Sequence, residues 1–178
     1  HGRTNSEHQA ELAEPDERAL IETVTNTIAQ HEGRPPAGWL SPWIAETEHT
    51  PDLLQEAGYR YLLDWCMDDQ PVWMRTRGGR ILALPYPQEL NDSAAIIGRH
   101  VGAQDFADMV IDQFDEMLEQ SRGRQPLVMG VALHAMIVGQ PFRLRALRRA
   151  LTHIAERRSD CWLTTAGAIA DSAATRMP

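Results

Sequence analysis

Apolar residues recur along the chain in short blocks whose spacing switches between helical and extended periods. Leu20, Ile21, Val24 and Ile28 repeat at helical spacing behind Glu14-Pro15-Asp16, a start with Pro in the first turn and acids at the positive end of the dipole. Gly33 ends this helix, and Pro35-Pro36 bars its continuation. Residues 38–43 read as a short strand running into a loop. Thr50-Pro51-Asp52 caps a second helix through Leu53, Leu54 and Ala57, stopped by Gly58. Tyr59, Tyr61 and Leu63 then alternate with Arg60, Leu62 and Asp64, the period of a strand over residues 59–65. Val72 to Thr76 and Arg80 to Leu84 form the arms of a hairpin about Arg77-Gly78-Gly79.

Phe106, Met109, Val110, Phe114, Met117 and Leu118 mark the strongest helix, closed by Gly123. Residues 126–134 are an apolar run of strand length, patterned as a strand buried on both faces. Leu144, Leu147, Leu151 and Ile154 give the next helix, with Arg143, Arg145, Arg148 and Arg149 on a solvated outer face. Residues 161–164 predict a last short strand and residues 166–173 a last helix, while residues 1–12 are polar and irregular. Alternation of this kind predicts an α/β fold, a mostly parallel sheet with helices packed outside it. In such folds sites gather at the C-terminal ends of strands.

Composition narrows the partners. With 178 residues and 43% apolar content the chain suits one globular domain. A formal net charge of -8 argues against nucleic acid and against an anionic membrane surface. No apolar run approaches the ~20 residues of a membrane span, and no charged-then-apolar leader opens the chain, so a cytoplasmic protein is expected. Cys66 and Cys161 sit beside Trp residues and read as reduced core thiols. The first residue is His rather than Met, so the start reads as processed, truncated or incomplete.

The strand ends supply a list of candidates: Pro42-Trp43, Asp64-Trp65, His134 and Thr164-Thr165, joined by His1, Thr4 and Asn5. Trp39, Trp43, Trp65 and Trp73 offer aromatic walls for a sugar or heterocycle. An imidazole closing an apolar strand, as at His134, either lines a pocket or needs a partner in the core. The Asp64 carboxylate likewise needs donors or a cation. Asp68-Asp69 suits a metal or substrate site, or simple loop caps. Phosphate loops, paired CxxC, HExxH and G-x-S-x-G patterns are absent from the sequence.

Several segments, in order and spacing, resemble the NodB-homology polysaccharide deacetylases, and more closely their allantoinase-like branch. They are His1-Gly2, G-x-x-P-x-G-W-x-S-P at 33–42, T-P-x-L-L-x-E-A-G at 50–58 and Y-x-x-D-W-x-x-D-D-Q-P-x-W at 61–73. L-A-L-P-Y at 82–86, E-L-N-D at 89–92 and A-L-H-x-x-x-x-G-x-P-x-R at 132–143 follow. The resemblance implies a distorted (β/α) barrel with fewer strands than the regular eight. Residues 1–178 would be a single domain of this kind lacking its first strands, with an exposed sheet edge for a partner or an upstream segment to cover.

It also implies roles. His1 matches the first His of the family's metal motif, whose second His is replaced by Asn5, and Leu40 stands near the position of a family Arg. Asp64 and His134 would be the catalytic residues of this chain, with Asp64-Trp65 at a pocket wall and His134 as general acid. Trp39, Pro42, Trp43, Trp65, Asp68, Asp69 and Asn5 would line the substrate. The expected cofactor is one divalent metal of the Zn type, or none, as in metal-independent members of that branch. The implied reaction is hydrolysis of a C–N bond in a non-peptide amide, with the base supplied from upstream. The substrate would be a small amide or N-acetyl sugar, and the chain a homo-oligomer. Replacement at Asn5 and Leu40 leaves an alternative, a catalytically silent binding or oligomerisation module. A bland alternative pairs His134 with Asp64 in the core.

Overall fold

A computed structural model describes residues 1–123 and 125–177. The chain forms two compact units, one from residues 1–85 with the C-terminal stretch starting at Thr165, the other from residues 86–164.

In the first unit α1 (Glu14–Glu32) carries Pro15 and three acids in its first turn and stops at Gly33, whose φ of 72° is a left-handed cap. Strand β1 (Gly38–Trp39), helix α2 (Thr50–Glu56), β2 (Tyr61–Leu62), β3 (Val72–Thr76) and β4 (Gly79–Ala83) follow. The sheet order is β1-β2-β4-β3, with β1, β2 and β4 parallel and the β3–β4 hairpin antiparallel. Thr76 pairs with Gly79 across a two-residue turn of Arg77 and Gly78. Leu20, Ile21 and Val24 of α1, Leu53 and Leu54 of α2, Trp39, Tyr59, Leu62 and Ile81 make one core of this unit. Leu82 and Leu84 form a second with Ala170 and Ala173 of the last helix, α6 (Ala166–Arg176).

The second unit is helical. A π-helical turn over Ser93–Gly98 leads into α3 (Ala103–Ser121), followed by the short α4 (Ala135–Val138) and by α5 (Pro141–Glu156). Helices α3 and α5 bury Phe106, Ala107 and Val110 with Ala146, Leu147 and Ala150, and the alanines let the two backbones approach. No helix among the described residues is long and apolar enough to cross a membrane.

Three expectations are corrected. Residues 126–134 do not form a strand buried on both faces: one parallel bridge, Ala132 to Asn91, holds the run, and its residues are half-buried or exposed. An apolar run specifies burial but not a pairing partner, and here it has one neighbour instead of two. Residues 161–164 form no strand, and Trp162 and Leu163 are exposed. The strand expected over 59–65 shrinks to Tyr61–Leu62, so Cys66 falls in the following loop and is exposed, not a core thiol.

Candidate active site

Two constellations of polar side chains stand out, one in each unit. In the first unit, the turn after β1 and the turn after β2 meet through a side chain. Asp64 accepts hydrogen bonds from Ser41 N and Ser41 Oγ, each at 2.7 Å. Ser41 Oγ in turn accepts from the indole Nε1 of Trp39 at 2.9 Å. Trp39 is 2% exposed and packs edge-on against Tyr59, so it reaches this cluster through its N–H rather than as an open aromatic wall.

A second buried carboxylate, Glu17 of α1, is held by neutral donors. Gln9 Nε2 donates to its Oε1 at 2.7 Å, Thr47 Oγ1 to its Oε2 at 2.5 Å, and Thr50 Oγ1 to Oε1. A third, Glu46, is half-buried against Asp64 and Trp65. Burial, then the negative charge of Asp64, then that of Glu17, push the Glu46 carboxyl up to about 8. Burial raises Asp64 too, against the two bonds from Ser41. Neutral hydrogen bonds offset desolvation only in part, and two carboxyls this close do not both ionise freely.

The N-terminal stretch packs on the same turn. Gly2, at a φ of 62°, lies so near Pro42 that an added Cβ would stand 2.7 Å from its Cγ. Trp43 Nε1 donates to the Asn5 carbonyl at 2.8 Å, and its ring stacks on His8. Trp43 is 71% exposed, and both it and Ile44 adopt left-handed backbone, a conformation that costs a non-glycine residue about 1–2 kcal/mol. The amino group of His1 lies close enough to feel the Asp64 charge, which counters the lowering caused by its own burial. Thus His1, Asn5, Pro42, Trp43 and Asp64 are brought together. Trp65 is exposed behind Asp64, and Asp68 and Asp69 are exposed in the loop that follows.

In the second unit, His134 is the N-cap of α4. Its ring Nδ1 lies 2.6 Å from Asp92 Oδ1, and its backbone N–H donates to Asp92 Oδ2 at 2.8 Å. Asp92 is fully buried, while the His134 side chain is 43% exposed. The backbone sets this up: Asn91 bridges Ala132, and Asp92 N donates to Ala132 O, so residue 92 is laid alongside residue 134. The partner of His134 is therefore Asp92, and the His134–Asp64 core pair is replaced by two separate arrangements. With Nδ1 committed to a buried carboxylate, Nε2 is the ring atom left for chemistry.

Sequence reasoning singled out neither Asp92 nor Glu46. Asp92 could have been found from the E-L-N-D segment, where an acid follows a buried Leu90. Glu46 carries no such signal, since the acidic run Glu46-Thr47-Glu48 looks solvated.

The residues present do not fit a Zn ion. One imidazole from His1 and one carboxamide from Asn5 are too few and too weak a donor set, and among the described residues no three His, Cys, Asp or Glu side chains come together as ligands.

Solved structures share this fold. The chain superposes over 100% of its length on the crystal structure of PuuE allantoinase, with a TM-score of 0.87 and 26% identity. Its fold is that of the NodB-type, polysaccharide-deacetylase-like structures. Its fold is shared by polysaccharide deacetylase candidates from Pseudomonas aeruginosa PAO1, at a TM-score of 0.87 and 24% identity, and Mycobacterium smegmatis, at 0.80 and 21%. In sequence this deacetylase-like chain is 28% identical over 121 residues, 62% of its length, to a polysaccharide deacetylase candidate of Schizosaccharomyces pombe. It spans 38% of that relative, and 59%, 59% and 62% of the three solved chains. No family model matches it. Its four-stranded, mostly parallel sheet thus corresponds to part of a deacetylase barrel.

Proposed function

We propose that this chain carries the general acid of a hydrolase acting on C–N bonds of non-peptide amides. The observation that carries the reading is the Asp92–His134 pair, a buried carboxylate bonded to both the ring and the backbone of a half-exposed imidazole. Water adds to the amide carbon, its proton passing to a base outside the residues assigned here. The C–N bond of the tetrahedral intermediate then breaks as Nε2–H of the His134 imidazolium gives its proton to the departing nitrogen. Asp92 holds the tautomer and balances the charge. Likeness to an allantoinase and to deacetylases supports a small ureide or an N-acetyl sugar as substrate. The donor set at His1 and Asn5 favours chemistry without a metal. A cytoplasmic homo-oligomer, with no nucleic-acid or membrane partner, completes the reading.

The test is amide hydrolysis by the protein, wild type beside His134→Ala, on allantoin, related ureides and N-acetylglucosamine oligomers, with and without Zn²⁺. Turnover that falls about 10²-fold or more in the variant is expected. Asp92→Asn should lower kcat with little change in KM, because the ring loses its orienting carboxylate but the substrate loses no contact. Absence of turnover from a folded protein on every substrate would favour the second reading, a silent ligand-binding or oligomerisation module. The Asn5 position favours that reading, since an amide with its backbone carbonyl already taken by Trp43 replaces an imidazole.

A further inference from the structure

The four-stranded sheet ends on one side at β3, whose free edge is longer than that of β1. Leu82 and Leu84 of the neighbouring strand donate their backbone N–H groups to the carbonyls of Arg60 and Leu62. Ile81 and Ala83 therefore turn theirs toward β3, where Met74 and Val72 face them. Trp73 and Arg75 then point their N–H and C=O groups away from the sheet, and no strand among the described residues receives them. The charges at this edge are unbalanced as well. Arg75 stands directly opposite Arg80, a like-charge pair that costs stability. The Arg80 guanidinium lies 4.1 Å from the centre of the Trp73 ring, whereas the exposed Arg75 forms no ion pair among the described residues. Just before β3 the sign reverses, with Asp68 and Asp69 both exposed.

We propose that the β3 edge pairs with the same edge of a second copy of this chain, antiparallel about a two-fold axis at Met74, so that one sheet runs through both copies. In that register Met74 faces Met74 of the second copy, and Trp73 faces its Arg75. Each Trp73–Arg75 pair exchanges both of its outward backbone bonds, as hydrogen-bonded antiparallel pairs do. Facing side chains lie on the same side of the sheet, so each Arg75 meets an indole and gains the cation–π contact it lacks in one copy. The pairing also turns the acidic approach of one strand, Asp68-Asp69, toward the basic hairpin end of the other, Arg75 and Arg80. This order of charges selects a second copy over another extended peptide. An acidic peptide would satisfy Arg75 and Arg80 but repel Asp68 and Asp69, and a basic one would do the reverse. A two-fold pairing closes on itself, so assembly through this edge stops at two copies. With an edge of 5 residues and a net charge of -8 on each copy, the dimer is a weak one. It gives the homo-oligomer of the functional reading a surface and a register, and it stands apart from the hydrolysis.

Sedimentation velocity over a series of protein concentrations reads the dimer, and disulfide trapping reads its register. With Cys66 and Cys161 replaced by Ser, Met74→Cys puts two thiols at the axis. Facing Cα atoms of such a non-hydrogen-bonded pair stand about 4.5 Å apart, so mild oxidation should cross-link the copies. Val72→Cys in the same background faces Thr76 of the second copy and should not cross-link. Arg75→Glu should weaken dimerisation about tenfold or more, because the new carboxylate meets Asp68 and Asp69 of the second copy. Its Tm should not fall, since the same change turns the Arg75–Arg80 repulsion within one copy into an attraction. Adding Asp68→Arg and Asp69→Arg should restore the dimer. Wild type that stays monomeric at every concentration overturns the proposal, also where it captures an acidic peptide instead. A dimer that Arg75→Glu leaves unchanged, or that Val72→Cys traps as readily as Met74→Cys, overturns it too. Should one kind of variant fail to fold, the other decides. None of these readouts involves turnover, so failure here and failure of the hydrolase reading are told apart.

Discussion

At the scale of single residues, Glu46 gives the sharpest consequence for stability. Its carboxyl titrates near 4.5 when the chain is unfolded and at about 8 when folded, so the folded state holds the extra proton between those values. Stability from this group is therefore fully present below pH 4.5 and is lost as pH rises through 8. Asp64, also raised, adds to the trend in the same direction. Glu46→Gln keeps the shape without the charge, so its Tm should exceed that of wild type most clearly near and above pH 8. Thermal melts of both proteins across pH check this; parallel curves would refute it. His134 was legible in the sequence because an imidazole at the end of an apolar run stands out. Asp92 and Glu46 were not, because an acid in a polar stretch looks the same whether its oxygens face water or a core.

At the scale of elements, close contacts rather than long ladders hold the parallel part of the sheet. β1 and β2 share only the pairs Gly38–Tyr61 and Trp39–Leu62. The Tyr61 ring lies over Gly38, and a Cβ there would stand 2.1 Å from ring carbons. Gly38→Ala must displace that ring, at a cost of about 1–3 kcal/mol for overpacking, whereas Gly33→Ala meets open space and pays only for its left-handed backbone. Urea unfolding of the two variants measures the two losses. The helices and the hairpin were readable because a 3.6-residue stripe and a Gly-Gly turn are local signals, although Gly79 belongs to the strand and the turn is one residue shorter than expected. The apolar runs at 126–134 and 161–164 were misread as strands because pairing depends on neighbours that no local window contains.

At the scale of the whole molecule, the apolar cores lie within the units, two in the first and one in the second. Leu62→Ala in the first should cost about 2–5 kcal/mol and Phe106→Ala in the second about 3–5, since both side chains are buried almost completely. Calorimetry reads both losses, and a change below about 1 kcal/mol at either position would contradict the packing described. The α/β class and the resemblance to deacetylases were visible in the order of motifs. The division into two units was not, since the composition does not change between residues 85 and 86. One topological detail has a practical side. β1 is an end strand of the four-stranded sheet, and its outer row of backbone amides and carbonyls faces no strand among the described residues. For protein engineering that row is a seam: a strand grafted there in parallel would extend the sheet, and an unshielded copy invites another chain to do so. At two residues the seam is short, which favours a covalently tethered graft over a free peptide.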